Sequence, residues 1–202
     1  KLCRNKALKA AVEKPEKVKL FLNVDGNIIQ DKAFIQGFTN RKAMKAGVPA
    51  SDIVFEITER SDIENYQILQ QIMKHYADQG YEIALDDVGA GHSGLNRVVN
   101  TTPDYLKADI ELVRDIYKYK KKEIMMKLLL DYCNATGAIL IAEGIETAQE
   151  LECLHSLGVH YGQGFFLGKP ERAFGNISAE SEEILERLNG RKNILFLDIS
   201  GK

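Results

Sequence analysis

Polar and charged residues stand where apolar runs of strand length end in this sequence. The run EIALDDV, residues 82–88, carries the neighbouring carboxylates Asp86 and Asp87 just before its end, and a glycine-rich stretch follows it. Because charged side chains are rarely buried without a partner, such residues at several strand ends indicate a shared functional site. The polar residues at the ends of the other five runs are Asn23 with Asp25, Glu56, Lys107 with Asp109, Glu143, and Gln163.

Several carboxylates in one place require a positive counter-charge, because like charges a few ångströms apart repel strongly at low dielectric. A ligand set made of oxygen atoms, without histidine or cysteine, favours Mg²⁺ or Mn²⁺ over zinc. Asp86 and Asp87 are consecutive, so alternation along a strand makes them diverge and reach two ions about 4 Å apart. Such a two-metal arrangement hydrolyses phosphodiesters, and Lys107 suits stabilisation of phosphate charge or orientation of the attacking water.

The segments between the strand-length runs carry apolar residues at intervals of three and four, which predicts helices. Alternating strands and helices predict parallel strands joined by crossover helices, in a barrel or a doubly wound sheet. No Rossmann or P-loop glycine pattern follows a strand, which disfavours the doubly wound nucleotide-binding fold. In a parallel barrel the strand C-termini meet on one face, where active sites form. The predicted strands are residues 20–24, 53–58, 82–88, 104–109, 138–144 and 161–167.

Composition excludes several classes of protein. The 202 residues suffice for one ordinary domain, and 45% hydrophobic with 28% charged residues is typical of a globular chain. A net charge of -2 lacks the basic footprint of proteins that bind nucleic-acid polymers. Apolar runs fall short of a membrane span, so the sequence predicts no membrane contact. Three cysteines without CxxC spacing indicate a reducing compartment, which we expect to be the cytoplasm.

Six motifs carry a resemblance to a known family. In order, LFLNV, FEITER, ALDDVGAGHSGL, DYLKAD, AEGIET and YGQGFFLGKP resemble the EAL domain family, cyclic di-GMP phosphodiesterases with a modified TIM barrel. The resemblance runs over about residues 1–175. It implies hydrolysis of cyclic di-GMP to linear pGpG with Mg²⁺ or Mn²⁺ at the strand ends, in a cytoplasmic domain that forms homodimers.

The resemblance also implies roles for individual residues. Lys107, Glu143 and Gln163 surround the metal-bound water and the scissile phosphate. Glu143 is the general base or the residue that positions the water. The implied metal ligands are Asn23, Glu56, Asp86 and Asp87.

Three further acidic residues take supporting roles in the resemblance. Glu59 corresponds to the residue that anchors the glycine-rich loop after Asp87, a loop suited to act as a lid or to couple the site to a signal. Glu146 corresponds to a supporting or guanine-contacting position. Asp109 is expected to support the residues that contact the substrate.

The chain departs from the family pattern in two places. The Glu-Ala-Leu motif, whose Glu is a metal ligand, is absent, and the opening KLCRNKALKAAVEK is typical of the helix after that strand. We therefore expect a modified TIM barrel missing its first strand, in which this chain alone is inactive while the intact parent is an enzyme. In the loop, Val88, Ala90 and His92 replace a common aromatic, threonine and aromatic.

Two alternatives and a domain division complete the prediction. A non-catalytic receptor that binds cyclic di-GMP is the main alternative, and an unrelated metal-dependent phosphohydrolase on the same barrel is a third. The retained polar set favours catalysis, because a receptor needs no water-activating residues.

We expect residues 1–175 to form the barrel domain, incomplete at its N-terminus. Residues 176–202 are expected to form a helix, SAESEEILERL, and a strand, NILFLDI, as a linker to a following domain.

Overall fold

The structure is a computed structural model that describes residues 2–15, 18–24, 38–57, 66–89, 94–171 and 175–189. Six strands lie in these residues: β1 (Leu20–Val24), β2 (Ile53–Ile57), β3 (Glu82–Val88), β4 (Tyr105–Ala108), β5 (Ile139–Ala142) and β6 (Tyr161–Gly162). The helices among them are α1 (Leu2–Ala10), α2 (Phe38–Ala46), α3 (Tyr66–Ala77), α4 (Gly94–Asn100), α5 (Ile110–Val113), α6 (Lys120–Thr136), α7 (Ala148–Leu157) and α8 (Ala179–Asn189).

The six strands form one parallel sheet in the order β1-β2-β3-β4-β5-β6. Neighbours in the sheet are thus neighbours among the strands of the chain, and the order does not reverse. A doubly wound sheet reverses its strand order at a switch point, whereas a parallel barrel winds in sequence. The predicted α/β class with parallel strands is confirmed, and the winding is that of a barrel.

The two faces of the sheet differ in what they bury. On the helix-covered face, alternate strand residues such as Ile53, Phe55 and Ile57 join one large apolar core. Burying each such side chain contributes about 1.5–3 kcal/mol. The opposite face carries a small apolar layer of Val54, Ala84, Tyr105 and Ile141, with Phe21 and Ile139 packed against it. Because successive side chains of a strand point to opposite faces, this inner face also presents the polar residues at the strand ends.

Two predicted elements differ from the structure. The strand predicted at 161–167 ends at Gly162, and a turn follows in which the backbone N of Leu167 donates to the O of Gly164. Gly164 touches the chain after β5 so closely that a Cβ would lie 2.2 Å from the backbone N of Ile145. The helical segment expected over 110–136 breaks between α5 and α6, where Asp115 adopts a left-handed conformation with φ +56°.

The C-terminal helix predicted from SAESEEILERL is confirmed as α8, whose Leu185 joins the large core. Its first turn is held by the hydroxyl of Ser178, which accepts a hydrogen bond from the backbone N of Ser181. None of the described helices is both long and apolar enough to cross a membrane. Five predictions fall on residues outside the described ranges: those on Asp25, Glu59, Ala90, His92 and the strand NILFLDI.

Candidate functional site

A buried lysine lies among three carboxylates at the C-terminal end of the sheet. Lys107 of β4 is 4% exposed, and Glu56 of β2 is 5% exposed. The Nζ of Lys107 lies 2.6 Å from Glu56 Oε1, 3.2 Å from Asp86 Oδ1 and 2.6 Å from Glu143 Oε1. Three separate strand ends thus deliver carboxylates to one ammonium, as the sequence predicted for the ends of parallel strands.

The electrostatics of this cluster follow from burial and from the excess of negative charge. Burial alone lowers the pKa of Lys107, but the facing carboxylates of Glu56, Glu143 and Asp86 outweigh it and raise that pKa. Burial raises the pKa of Glu143 to about 8, against the opposing attraction of Lys107 and with the help of repulsion from Asp86. Glu143 can therefore gain and lose a proton near neutral pH, as a general base or acid requires.

Asp86 and Asp87 do not diverge as strict strand alternation predicted. The pairing of β3 with β4 shifts register between Leu85 and Val88, and Asp87 has φ +58°. Such a bulge re-aims a side chain, and a non-glycine residue in the left-handed region costs about 1–3 kcal/mol of backbone strain. Asp86, Asp87 and Glu143 consequently offer oxygen atoms that all lie within 4.8 Å of one another.

These three carboxylates fit a hard divalent cation. Oxygen ligands stand about 2.0–2.6 Å from Mg²⁺ or Ca²⁺, so two ligands of one ion are at most about 5 Å apart. The spacing in this trio meets that limit. The donor set contains oxygen alone, which agrees with the predicted preference for Mg²⁺ or Mn²⁺ over softer metals.

The amide residues at the strand ends lie on either side of this cluster. Asn23 of β1 pairs in register with Glu56 and is exposed, so it stands beside the first carboxylate of the cluster. Gln163 follows β6 directly and is half-buried. Its backbone N donates to Ala142 O at 2.8 Å, and its O accepts from the N of Ile145 at 3.0 Å.

Asp109 and Glu146 occupy the chain just beyond the strand ends. Asp109 is buried and caps α5, since its Oδ1 accepts from the backbone N of Glu111 at 2.7 Å. Glu146 is half-exposed, and its Oε2 lies 3.7 Å from Nη2 of Arg114. Sequence reasoning missed Arg114, because nothing in its helix-like surroundings marks it.

A second residue that sequence reasoning missed is Glu150, a buried acid at the start of α7. It forms a capping box with Thr147. The spacing Thr147-x-x-Glu150 is the sequence signature of that motif, so this signal was available.

The opposite, N-terminal end of the sheet carries a different polar cluster. Lys19 Nζ lies 2.7 Å from Glu82 Oε1 and donates to Ser51 O at 2.7 Å. Tyr105 donates its hydroxyl to the other Glu82 oxygen at 2.9 Å. Burial and the Glu82 carboxylate raise the pKa of Tyr105, which stays a neutral donor. Each oxygen of the Glu82 carboxylate thus has its own donor.

Comparison with known proteins identifies a family and individual proteins to which this chain is similar. A family model described as the EAL domain matches residues 2–170. The cyclic di-GMP phosphodiesterase PdeB of Shewanella oneidensis is 25% identical over 150 residues, which are 74% of this chain and 17% of that protein. The chain thus spans less than a fifth of the length of that curated relative.

Solved structures give the same result for the fold. A standalone EAL protein from Vibrio cholerae O395, in its c-di-GMP bound form, matches with a TM-score of 0.79 and 27% identity over 90% of this chain and 77% of that one. The manganese/cy-diGMP complex of Klebsiella pneumoniae BlrP1 matches with a TM-score of 0.79 and 29% identity over 86% and 45%. These likenesses confirm the predicted fold class, a modified TIM-type α/β barrel.

Proposed function

Because the chain belongs to the EAL domain family, we propose that it is the phosphodiesterase part of a protein that hydrolyses cyclic di-GMP to linear pGpG with the help of Mg²⁺ or Mn²⁺. The observation that carries the proposal is the position of Lys107 among Glu56, Asp86 and Glu143, beside the further carboxylate of Asp87. This arrangement combines a counter-charge for phosphate, a titratable acid and cation ligands within a few ångströms. Those are the parts that metal-assisted phosphodiester hydrolysis needs.

The proposed ligands of the cations are residues of three neighbouring strands, with Glu143 next to them. When bound, such ions neutralise phosphate charge and make an attacking water more acidic. The approach of the Asp86 and Asp87 oxygen atoms to within 4.8 Å of each other supports this assignment, as does the register of Asn23 beside Glu56. The ligand set that we propose is Asn23, Glu56, Asp86 and Asp87.

The chain's own residues carry the proton and the phosphate charge in this proposal. Glu143 takes a proton from the attacking water or orients it, and its pKa near 8 suits either role. Lys107, held protonated by three carboxylates, stabilises the negative charge that develops on the phosphate. Gln163 and Glu146, beyond the ends of β6 and β5, contact the substrate.

Two residues support the substrate site from farther away. Asp109 holds the start of α5 through its cap on Glu111, and so fixes the chain that follows Lys107. Glu59 is proposed to anchor the loop after Asp87. It lies outside the described residues, so its role rests on the resemblance.

The decisive experiment measures cyclic di-GMP turnover by the full-length protein with Mn²⁺ and after chelation. We expect Glu143→Gln to lower kcat by at least about 10²-fold, as loss of a general base does. Glu152→Gln, an acid on the surface of α7 that pairs with Arg187, is the matched control and keeps wild-type turnover. Tight binding without turnover in the wild-type protein would instead identify a receptor, and turnover by this chain alone would overturn its expected inactivity.

We also propose that the protein forms a homodimer through α4 and α6. The hydroxyl of Tyr132 on α6 donates to Val98 O on α4 at 2.9 Å, which joins the two helices. Exposed apolar side chains lie on both helices, each between 51% and 72% exposed: Leu95, Val99, Ile124 and Leu128.

The occupant of this surface is a second copy, because the stripe on α6 is self-complementary. Lys121, Ile124, Leu128 and Asp131 follow one another at intervals of three and four. In an antiparallel two-fold pairing, Lys121 meets the partner's Asp131 while the two apolar residues meet each other. Lys121→Asp is expected to dissociate the dimer in analytical ultracentrifugation, and adding Asp131→Lys to restore it. A wild-type monomer at micromolar concentration would refute the proposal.

Three broader assignments remain proposals from the sequence. We propose a cytoplasmic location, which agrees with the free thiols of Cys133 and Cys153. The division into residues 1–175 and 176–202 is kept as a proposal, although α8 packs on α7. Cyclic di-GMP is the proposed partner, and neither a nucleic-acid polymer nor a membrane is proposed.

A further inference from the structure

A buried carboxylate outside the acidic cluster joins two segments at the C-terminal end of the sheet. Glu150 is 2% exposed. Its Oε1 accepts a hydrogen bond from the backbone N of Asp115 at 2.8 Å. Its Oε2 accepts from the backbone N atoms of Glu146 at 2.9 Å and Thr147 at 3.0 Å. Three backbone donors compensate the charge that burial would otherwise make costly.

The two oxygens of Glu150 serve different loops. We call residues 109–119, which follow β4, the β4 loop, and residues 144–147, which follow Glu143 at the end of β5, the β5 loop. One carboxylate oxygen is bonded to the β4 loop through Asp115, and the other is bonded to the β5 loop through Glu146 and Thr147. The carboxylate of Glu150 therefore links the two loops through hydrogen bonds, with one oxygen bonded to each loop.

The loops are also in direct contact at Gly144. This residue has φ +68°, and a Cβ there would lie 2.3 Å from Cγ1 of Ile110. At the surface, Arg114 of the β4 loop lies 3.7 Å from Glu146 of the β5 loop. A small displacement of either loop therefore moves Glu146 relative to Asp109.

We propose that Glu150 is a positioning residue, which sets the relative placement of the β4 and β5 loops and thereby the substrate contacts made by Glu146 and Asp109. This inference rests on the proposed function for its substrate, cyclic di-GMP. Glu150 itself is covered by the loops and touches no substrate.

A positioning role through the loops predicts a specific kinetic signature. Lys107 and Glu143 are held independently by the sheet: Lys107 pairs with Ile141, and the backbone N of Glu143 donates to Ala108 O at 3.0 Å. Loss of the bridge therefore leaves the chemical step in place and weakens substrate binding. We expect KM to rise about tenfold while kcat changes less than about threefold, since a misplaced loop alters contacts away from the reacting atoms.

Three variants separate the bridge from the helix cap. Glu150→Met removes both carboxylate oxygens at similar side-chain length and leaves a thioether, which is a weak acceptor. Glu150→Gln keeps one carbonyl oxygen for one of the two loops. Thr147→Ala removes the hydroxyl that accepts from the N of Glu150, yet leaves both carboxylate oxygens bonded to the loops. We expect Thr147→Ala to keep the wild-type KM. We expect Glu150→Gln to raise KM, and Glu150→Met to raise it further.

The measurement is steady-state turnover of cyclic di-GMP by the full-length protein, together with amide hydrogen exchange. Exchange at the N of Asp115 and of Glu146 is expected to accelerate at both sites in Glu150→Met and at one of the two sites in Glu150→Gln. It is expected to stay unchanged at both sites in Thr147→Ala. The inference is overturned if both Glu150 variants keep the wild-type KM. It is also overturned if Thr147→Ala raises KM as much as the Glu150 variants do. If Glu150→Met does not fold, Glu150→Gln alone decides by the same two readouts.

Failure of the proposed function is distinguishable from failure of this inference. If the wild-type protein neither binds nor cleaves cyclic di-GMP, the proposed function is wrong, and with it the substrate named here. If the wild-type protein is active and the Glu150 variants match it, the proposed function stands and the bridge has no positioning role.

Discussion

The two ends of the sheet carry polar clusters built from similar residue types, yet one cluster is balanced in charge and the other has an excess of acid. At the N-terminal end, Lys19 and the Tyr105 hydroxyl together satisfy the one carboxylate of Glu82. At the C-terminal end, one ammonium, that of Lys107, faces Glu56, Asp86 and Glu143, with Asp87 adjacent. A balanced cluster stabilises the fold, whereas an excess of buried acid is retained at a cost in stability and calls for a further cation.

This difference agrees with a general property of parallel barrels. Their active sites lie at the C-terminal face, whereas residues of the N-terminal face contribute mainly to stability. The strain at Asp87 and the raised pKa of Glu143 also lie at the acidic end. Perturbed titration and backbone strain both concentrate at functional sites.

Removing the lysine from each end gives the largest expected contrast. Lys107→Met leaves three buried carboxylates without their cation, so we expect a loss of about 3–5 kcal/mol in unfolding free energy for the metal-free protein. Lys19 and Glu82 are each about one third exposed, so Lys19→Met should cost about 0–1 kcal/mol. Urea unfolding measures both, and equal losses would contradict the comparison.

Addition of Mn²⁺ tests whether the excess acid binds a cation. At an ion concentration about 100 times Kd, the wild-type protein gains about 2.7 kcal/mol in unfolding free energy. Asp86→Asn and Asp87→Asn should each remove most of this gain, because they delete ligands from the trio. Glu82→Gln at the other end should keep the full gain, and a thermal melt with and without Mn²⁺ reports all four proteins.

The pH dependence of stability isolates Glu143. Its pKa is raised to about 8 in the folded state, above about 4.3 in the unfolded state, so folding favours its protonated form. This contribution is fully present below about pH 4 and is lost as pH rises to 8. In metal-free protein we expect Glu143→Gln to flatten this decline and to be about 1–3 kcal/mol more stable than wild type at pH 9. Parallel stability curves between pH 4 and 9 for the two proteins would show that Glu143 is ionised throughout.

Tyr105→Phe gives the smallest effect, at the N-terminal end. The variant removes the hydrogen bond to Glu82, which contributes about 1 kcal/mol, and keeps the ring that packs on Phe21 with centroids 5.3 Å apart. Turnover of cyclic di-GMP should be unchanged. A loss of turnover would show that the two ends of the sheet are coupled.

The sequence predicts the fold and the membership of the acidic cluster because both follow from local patterns. Alternating strands and helices predict parallel winding, and parallel strands bring their ends together whatever the loops do. The convergence of Glu56, Lys107 and Glu143 is therefore predictable from strand ends alone.

The remainder depends on tertiary contacts that a pattern does not encode. The left-handed backbone of Asp87 and the register shift beside it arise from pairing with β4, so alternation gave the wrong direction for its side chain. The early end of β6 depends on the approach of Gly164 to Ile145. The bridge made by Glu150 joins residues 35 positions apart, and its capping-box spacing reveals one of its two sides.

The backbone conformation of Asp87 constrains which substitutions this position tolerates. Glycine adopts the left-handed region freely and asparagine adopts it about as readily as aspartate, so either would preserve the bend of β3 while discarding the charge. A β-branched residue would remove the charge and would also disfavour the bend of β3, because it rarely adopts a positive φ. One substitution at this position, where backbone shape and charge are separable, is thus expected to keep the fold of the domain while removing a proposed cation ligand.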